Sequence, residues 1–171
     1  MKNRLLIGTA TVAYILTAFT SYAQAEDVQI TGNVQSKCSI YADIPGVYGQ
    51  PIPNELSTLP ADGGVMPVVR FDVASAGFYK AKISYPTTFS TSPNLNDSVT
   101  FTGDVEVSQT SDVLMAGYEA AKVQYDSSTE FDLTVAGTAW FKVTSNATYG
   151  FNTSFPAGQY TAIVEALCVA N

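Results

Sequence analysis

The sequence predicts an all-β protein, built as an antiparallel β-sandwich, from three observations. Segments rich in Val, Thr, Tyr and Phe recur along the chain, and in them apolar residues alternate with polar ones, as in half-buried strands. Clusters of turn-forming residues separate these segments, and helical patterns are nearly absent. Many short strands in a chain of 171 residues favour two packed antiparallel sheets.

The strand pattern occurs in six segments. The first places Val28, Ile30 and Val34 on one face, with polar residues between them. Residues 113–123 have some helical composition, but Gly117 interrupts them, so we predict no long helix there. The remaining predicted strands are 68–73, 78–85, 99–109, 131–143 and 160–169, and the predicted turns are Pro45-Gly46, Asp62-Gly63-Gly64, Ser92-Pro93-Asn94, Asp126-Ser127-Ser128 and Pro156-Ala157-Gly158.

The segment from Ile44 to Pro67 is unlike the rest, because it holds five prolines and four glycines. Proline cannot donate a hydrogen bond to a sheet, so we predict a long loop or a broken edge strand here. The simplest role for such a segment is a crossover between the two sheets, although loops also often carry functional residues.

The N-terminus has the three parts of a secretory signal peptide. Lys2 and Arg4 precede the uncharged run 5–20, and a small-x-small motif that ends at Ala25 follows it. The run is shorter than the roughly 20 apolar residues that a membrane-spanning helix needs. We therefore predict cleavage after Ala25, export from the cytosol, and no membrane insertion of the mature protein.

Removal of residues 1–25 would leave one domain, residues 26–171, which is long enough to bury a substantial core. Two basic residues leave with the signal, so the mature chain would carry a net charge of about −9. Nucleic acids and anionic membranes are bound through clustered positive charge, so neither is an expected partner.

The composition also argues against most catalytic chemistry. The chain has no histidine, which removes Ser-His-Asp and Cys-His catalysis and the commonest zinc ligand. No glycine-rich phosphate loop follows a predicted strand. We therefore expect no enzyme, no cofactor and no metal site.

Two pairs of carboxylates remain as candidates for glycosidase-type catalysis. Asp104 and Glu106, and likewise Glu130 and Asp132, lie two residues apart and share one face of a predicted strand. Solvated strand faces explain such pairs far more often than catalysis does. We interpret all four as surface residues, whose replacement by Asn or Gln should change stability by less than about 0.5 kcal/mol each.

The chain has two cysteines, Cys38 after the first predicted strand and Cys168 near the end of the last. In an oxidising compartment we expect them to pair. The bridge would pin the last strand to the first, and closing a loop of about 129 residues would stabilise the fold by roughly 5 kcal/mol in the chain-entropy model.

Both ends of the chain resemble the subunits of chaperone–usher pili. "VQITGNVQSKCSI" (28–40) is similar to the N-terminal region of such pilins, with alternating apolar residues, a glycine, a valine two residues later and a Cys-Ser-Ile. "PAGQYTAIVEAL" (156–167) is similar to their last strand. The resemblance covers some 25 residues in total, and between the two ends only the strand-rich composition agrees.

The resemblance implies an immunoglobulin-like sandwich that is completed by a donor strand from a neighbouring subunit. Residues 26–36 would be the donor extension, with Val28, Ile30, Gly32 and Val34 entering the neighbour. The implied partners are other pilin-like subunits, a periplasmic chaperone and an outer-membrane usher. The implied location is the periplasm in transit and then the fimbria at the cell surface, where the subunit would support adhesion.

The position of the second cysteine departs from the pilin pattern, in which it often lies on the strand after the first. A groove that lacks one strand separates its flanking strands by about 9.6 Å, whereas bridged cysteines need Cα atoms within about 6.8 Å. The bridge would thus narrow the groove, join the two sheets, or lie beyond the end of the groove.

A different function remains open on the residues alone. The same alternation at residues 28–34 describes an ordinary first strand of a complete sandwich. Such a secreted or periplasmic protein would bind a ligand, for example a glycan, through its aromatic residues. Trp140 is the obvious aromatic to consider, but within "TAWFKV" we predict that it lies in the core.

Overall fold

The structure is a computed structural model and describes Thr31, residues 37–151 and residues 153–171. The expected signal peptide, residues 1–25, and the donor residues Val28, Ile30, Gly32 and Val34 lie outside the described residues. Among the described residues, no helix is long and apolar enough to cross a membrane.

The fold is all-β with antiparallel sheets, as the sequence predicts. In chain order the strands of the described part are β1 (Cys38–Ile44), β2 (Glu55–Ser57), β3 (Val68–Val73), β4 (Tyr79–Ser84), β5 (Phe89–Thr91), β6 (Val99–Thr110), β7 (Val123–Tyr125), β8 (Ser128–Asp132), β9 (Gly137–Tyr149), β10 (Thr161–Ala162) and β11 (Glu165–Ala170). Short 3₁₀ helices occupy Pro60–Asp62 and Val113–Gly117, and one turn of helix, α1, occupies Tyr118–Ala121.

Two sheets form the sandwich. The first has the order β1-β3-β9-β6, and β2 pairs with the far half of β9, beyond the end of β3. The second has the order β11-β4-β8-β7. A small ribbon of β5 and β10 lies outside both.

The main core follows from the strand alternation. Along β9, every second residue from Ala139 to Tyr149 is buried, and the residues between them are turned outward. Phe141 packs against Phe71 of β3 and Phe131 of β8, so the two sheets meet through aromatic rings. These three side chains are at most 1% exposed.

A second cluster lies at one end of the sandwich and is mostly aromatic. The Phe89 ring lies 4.8 Å from Phe101, 5.1 Å from Tyr160, 6.0 Å from Phe155 and 6.1 Å from Tyr48, measured between centroids. We call this end, with the connections 50–54 and 150–155, the aromatic pole. The opposite end, with Cys38, Cys168 and the loop 74–78, is the disulfide pole.

Several predicted elements agree closely with the structure. The strand 68–73 is reproduced residue for residue, and 99–109 is extended by one residue. The turn at residues 62–64 closes the first 3₁₀ helix, where Gly63 takes a left-handed φ of 79°. A side chain there would be strained, so glycine suits the position.

Four predictions are corrected by the structure. The predicted strand 131–143 is two strands, because residues 133–136 turn between β8 and β9. Cys38 begins a strand, β1, that the pattern did not predict. The segment 44–67 connects β1 and β3 of the same sheet, so it is no crossover between sheets. Trp140 lies on the outer face of β9, because it alternates with the buried Ala139 and Phe141.

Candidate functional site: a groove between the first and last strands

The two terminal strands of the described fold are edge strands on the same side of the sandwich. β1 borders the first sheet and pairs with β3, while β11 borders the second sheet and pairs with β4. Within residues 37–151 and 153–171, no strand pairs with the second edge of either one. Two rows of backbone donors and acceptors therefore face each other across the gap between the sheets.

The predicted disulfide is confirmed and joins these two edges. Cys38 at the start of β1 is bonded to Cys168 in β11, with a Cα–Cα distance of 6.3 Å and a sequence separation of 130. Disulfides of this kind form and persist in oxidising compartments, so the bond indicates that the chain folds outside the reducing cytosol.

The inner face of β1 is incompletely covered. Ile40 and Ala42 pair with Phe71 and Val69 of β3, whose side chains point into the core and are 0% and 8% exposed. Opposite residues of an antiparallel pair share a face, so Ile40 and Ala42 also point inward. Ile40 is nevertheless 36% exposed, because nothing in the described part of the chain covers that flank.

Beyond the disulfide, the gap widens into a groove of about 960 Å³. One wall is the end of β1 and its continuation, with Ala42, Ile44 and Val47, and the other is the segment 155–164 that leads into β11. The floor includes Leu56 and Val69, which are buried. The groove is thus lined mostly by apolar and aromatic residues, together with polar ones such as Gln50, Thr58 and Gln159.

The floor of the groove contains one hydroxyl pair. Tyr48 Oη and Ser145 Oγ lie 2.8 Å apart, and Ser145 is 1% exposed. Burial raises the pKa of Tyr48 above its usual value, and the hydrogen bond with Ser145 opposes that shift only in part. One hydroxyl donates to the other, so both oxygens take part in a hydrogen bond within the floor.

The position of the disulfide resolves the alternatives left open by the sequence. The bridge joins the two sheets, and it also lies beyond the end of the groove, at the disulfide pole. At 6.3 Å the two Cα atoms leave no room there for a strand, which needs flanking strands about 9.6 Å apart. The groove is therefore closed at the disulfide pole, and it extends toward the aromatic pole, where Tyr48, Phe155 and Tyr160 line it.

Sequence reasoning did not identify the walls of this groove. The residues that form it come from β1, from the proline-rich connection after it, and from the segment before β11. Only the unusual composition of residues 44–67 marked any part of it. The donor residues that the sequence suggested, Val28, Ile30, Gly32 and Val34, lie outside the described residues.

The four acidic residues considered as catalytic candidates all pair with lysines. Glu106 bonds Lys142 at 2.9 Å, Asp104 lies 3.3 Å from Lys122, Glu130 lies 3.7 Å from Lys82, and Asp132 lies 3.6 Å from Lys80. In the described part of the chain, no group of three or more His, Cys, Asp or Glu residues could hold a metal ion.

The outer face of the first sheet carries an aromatic and charged ladder. Tyr41, Arg70 and Trp140 lie directly opposite one another on β1, β3 and β9. The Arg70 guanidinium lies 4.4 Å from the centre of the Tyr41 ring, and Trp140 Nε1 donates to Asp43 Oδ2 at 2.7 Å. These contacts stabilise the position of β1 against the rest of the sheet. The Tyr41 side chain remains 45% exposed.

No protein-family model, no curated protein and no solved structure matches this chain. The likeness to chaperone–usher pilins thus stays an expectation from the sequence of the two ends. The groove is the structural feature that bears on it, because a missing strand between the first and last strands is what that likeness implies.

Proposed function

We propose that this protein is a structural subunit of a surface fimbria, assembled by donor-strand complementation and supporting adhesion. One observation carries the proposal: the groove between β1 and the segment leading into β11, on the flank where the outer edges of β1 and β11 have no partner among the described residues. The assembly partners are other copies of the chain or related subunits.

A strand is the ligand that such a groove favours. An extended segment would pair its backbone with the two free edges, and its alternate side chains would enter the apolar floor. Residues 28–34 have seven residues and would extend about 23 Å, and β1 also has seven. Val28, Ile30 and Val34 would supply apolar side chains, and Gly32 would occupy the shallowest place.

The free edges also support a role for the implied periplasmic chaperone and outer-membrane usher. Two unpaired edges beside exposed apolar side chains such as Ile44 and Val47 favour aggregation. A subunit of this kind needs a partner over its groove before assembly. A chaperone would cover the groove during transit, and the usher would mediate the exchange for the next subunit.

The test compares the mature chain with a chain that lacks residues 26–36. The deletion variant should remain folded, because β1 begins at Cys38, and it should not polymerise. A synthetic peptide of residues 26–36 should raise its melting temperature, whereas the matched peptide with Gly32→Leu should have little effect because leucine would crowd the floor.

The opposite results would end the proposal. If residues 26–36 form the domain's own first strand, the deletion variant should unfold. A mature wild-type chain that is a folded monomer at every concentration, with residues 28–34 protected from hydrogen exchange, would likewise contradict assembly in trans.

Glycan binding is a second candidate function, and the outward position of Trp140 favours it. Trp140 and the exposed Tyr41 lie two strands apart on one face, about 9.6 Å at the ladder spacing, with Arg70 and Asp43 beside them. Aromatic faces and charged hydrogen-bonding groups are typical of sugar sites. Glycan-array binding that is lost on Tyr41→Ala, with unchanged polymerisation, would support this function, and an array without signal would refute it.

A further inference from the structure

The disulfide pole of one copy must lie close to the groove of the next, if the proposed donor-strand assembly holds. Only residues 35–37 separate the last donor residue, Val34, from Cys38 at the start of β1. Fully extended, this connection spans at most about 14 Å. The two folded bodies therefore cannot be separated by a flexible linker and must touch.

The closed end of the groove decides which surfaces meet. The Cys38–Cys168 bridge blocks the groove at the acceptor's disulfide pole, so a donor strand that lies along the groove places its connection on the side of the acceptor's aromatic pole. Contact between unlike ends repeats without closing and produces a fibre. The disulfide pole of each copy should thus lie against the aromatic pole of its neighbour.

Both poles expose an isolated phenylalanine. Phe78, in the loop between β3 and β4, is 61% exposed, and its carbonyl accepts a hydrogen bond from Asn171 N at the disulfide pole. Phe151, just after β9, is 88% exposed at the aromatic pole, and Ile52, in the connection 50–54 of the same pole, is 50% exposed. Backbone hydrogen bonds tie the connection 50–54 to this region, from Tyr149 N to Asn54 O and from Phe155 N to Pro53 O.

The exposed residues of the two poles include one pair of opposite charge. Lys37 is exposed at the disulfide pole, where its carbonyl bonds the loop 74–78 through Ala74 N. Asp97 is exposed at the aromatic pole, and its carboxylate lies over Gly150, the residue before Phe151. Complementary charges around apolar contacts are the usual anatomy of an interface.

We propose that the disulfide pole, with Phe78 and Lys37, docks on the aromatic pole of the next copy, with Phe151, Ile52 and Asp97, as a second interface beside the donor strand. The partner is another copy of this chain. The contact buries both phenylalanines and orients the connection as it enters the groove. The contact also fixes the distance between successive subunits.

Cysteine cross-linking of the full mature chain tests the contact directly. Polymers of the Phe78→Cys, Phe151→Cys variant should acquire bonds between copies and run as a ladder on boiled, non-reducing gels. The matched control, Phe78→Cys with Val123→Cys, places the second cysteine on β7 opposite Glu130, at a residue that is 49% exposed and lies along the sheet edge rather than at a pole, and should give only monomers. Mass analysis verifies the native bridge in both variants.

Charge reversal supplies an independent readout. Lys37→Asp should slow polymer elongation about threefold, as should Asp97→Lys, and the double variant should recover the wild-type rate because the pair is restored in reverse. An unchanged rate in the single variants, together with an absent or unselective cross-linking ladder, would overturn the pole-to-pole contact.

Failure of the underlying function has a different signature. An excess of the peptide 26–36 should compete for the groove and shorten wild-type polymers, whether or not the poles touch. If the peptide caps growth but the pole variants behave like the wild type, only the contact is wrong. If the peptide has no effect on polymer length, the donor-strand function itself fails.

Discussion

The two sides of the sandwich are closed in different ways. On the side of β6 and β7, the chain itself crosses from one sheet to the other through the 3₁₀ helix Val113–Gly117 and α1. Met115 and Tyr118 from this crossover are 1% and 6% exposed and fill the space between the sheets. On the side of β1 and β11, the described residues supply only the disulfide and leave the groove beyond it open.

Polar contacts reinforce the closed side. Lys122 donates to Glu119 at 2.7 Å, to the carbonyl of Val105 at 2.9 Å and to Asp104. Burial lowers the pKa of Lys122, but the hydrogen bond to Glu119 and the nearby carboxylate charges outweigh this effect and raise the pKa overall. Tyr118 Oη accepts a hydrogen bond from Val135 N at 3.0 Å.

The comparison shows why the proposed assembly site lies on the open side. A sandwich needs both flanks of its core covered, and here one flank is covered by a plug that belongs to the fold. The other flank is held by one covalent bond at its far end. A strand from a partner would cover this flank. The proposed assembly site therefore lies where the described residues leave the core uncovered.

The largest effect is expected when the bond on the open side is removed. The double variant Cys38→Ala, Cys168→Ala should lose about 4–5 kcal/mol of unfolding free energy, because the bridge closes a loop with a sequence separation of 130. Urea unfolding measures it, and the reduced wild-type chain should agree with the variant. A loss below about 1 kcal/mol would show that the unbridged flank is held by other contacts.

Truncation of Met115, which fills the space between the sheets on the closed side, should lower the unfolding free energy by somewhat less than loss of the disulfide. Met115→Ala should lower the unfolding free energy by about 3 kcal/mol, because it leaves a cavity between the sheets. Val113→Ala, in the same 3₁₀ helix but 87% exposed, is the matched control and should change it by less than about 0.5 kcal/mol. Equal losses of unfolding free energy at Met115 and Val113 would contradict the inference that Met115 fills the core on this side.

The difference between the two sides could not be predicted from the sequence. Strands β3 and β6 were predicted from the sequence because the alternation of apolar and polar residues is a local pattern. The break between β8 and β9 was missed, because residues 131–143 read as one continuous strand, with only Ala136-Gly137 as a turn signal. The burial of Met115 depends on which strands become neighbours in the fold, and a local sequence pattern does not predict that.

The outward position of Trp140 could have been predicted from the alternation, if the buried residues of this strand had been assigned correctly. Ala139, Phe141 and Val143 are the buried set of β9, so the residue between the first two points outward. The groove is a different case. Its walls come from segments more than 100 residues apart in the chain, and only the disulfide linked the two ends at the level of sequence.

A smaller effect is expected at Asp104, which anchors the closed side. Its carboxylate accepts hydrogen bonds from Lys122 Nζ, from Gln124 Nε2 at 2.6 Å and from Val105 N at 2.8 Å. Asp104→Asn should therefore cost about 1 kcal/mol of unfolding free energy. Asp132→Asn, at a side chain 58% exposed with one lysine nearby, should cost less than about 0.5 kcal/mol. A cost below about 0.5 kcal/mol at Asp104 as well would contradict its anchoring role and support the sequence-based expectation for the carboxylates.

The smallest effect concerns the phenol in the floor of the open side. The folded-state pKa of Tyr48 is raised above the ordinary value of a tyrosine, chiefly by burial. The neutral phenol thus contributes stability that is complete below about pH 10 and is lost as the pH rises through the folded-state pKa.

Tyr48→Phe removes this titration, so its unfolding free energy should fall less steeply than that of the wild type above about pH 10. Ser145→Ala is the matched control, because it deletes the hydrogen-bond partner and keeps the ionisable group. Since that hydrogen bond lowers the folded-state pKa, the alanine variant should keep the alkaline loss, with the same onset, and extend it to higher pH. Denaturant unfolding across this range measures all three proteins. Parallel curves for the wild type and Tyr48→Phe would show that Tyr48 is as accessible to hydroxide as in the unfolded chain, and that the floor of the groove is wet.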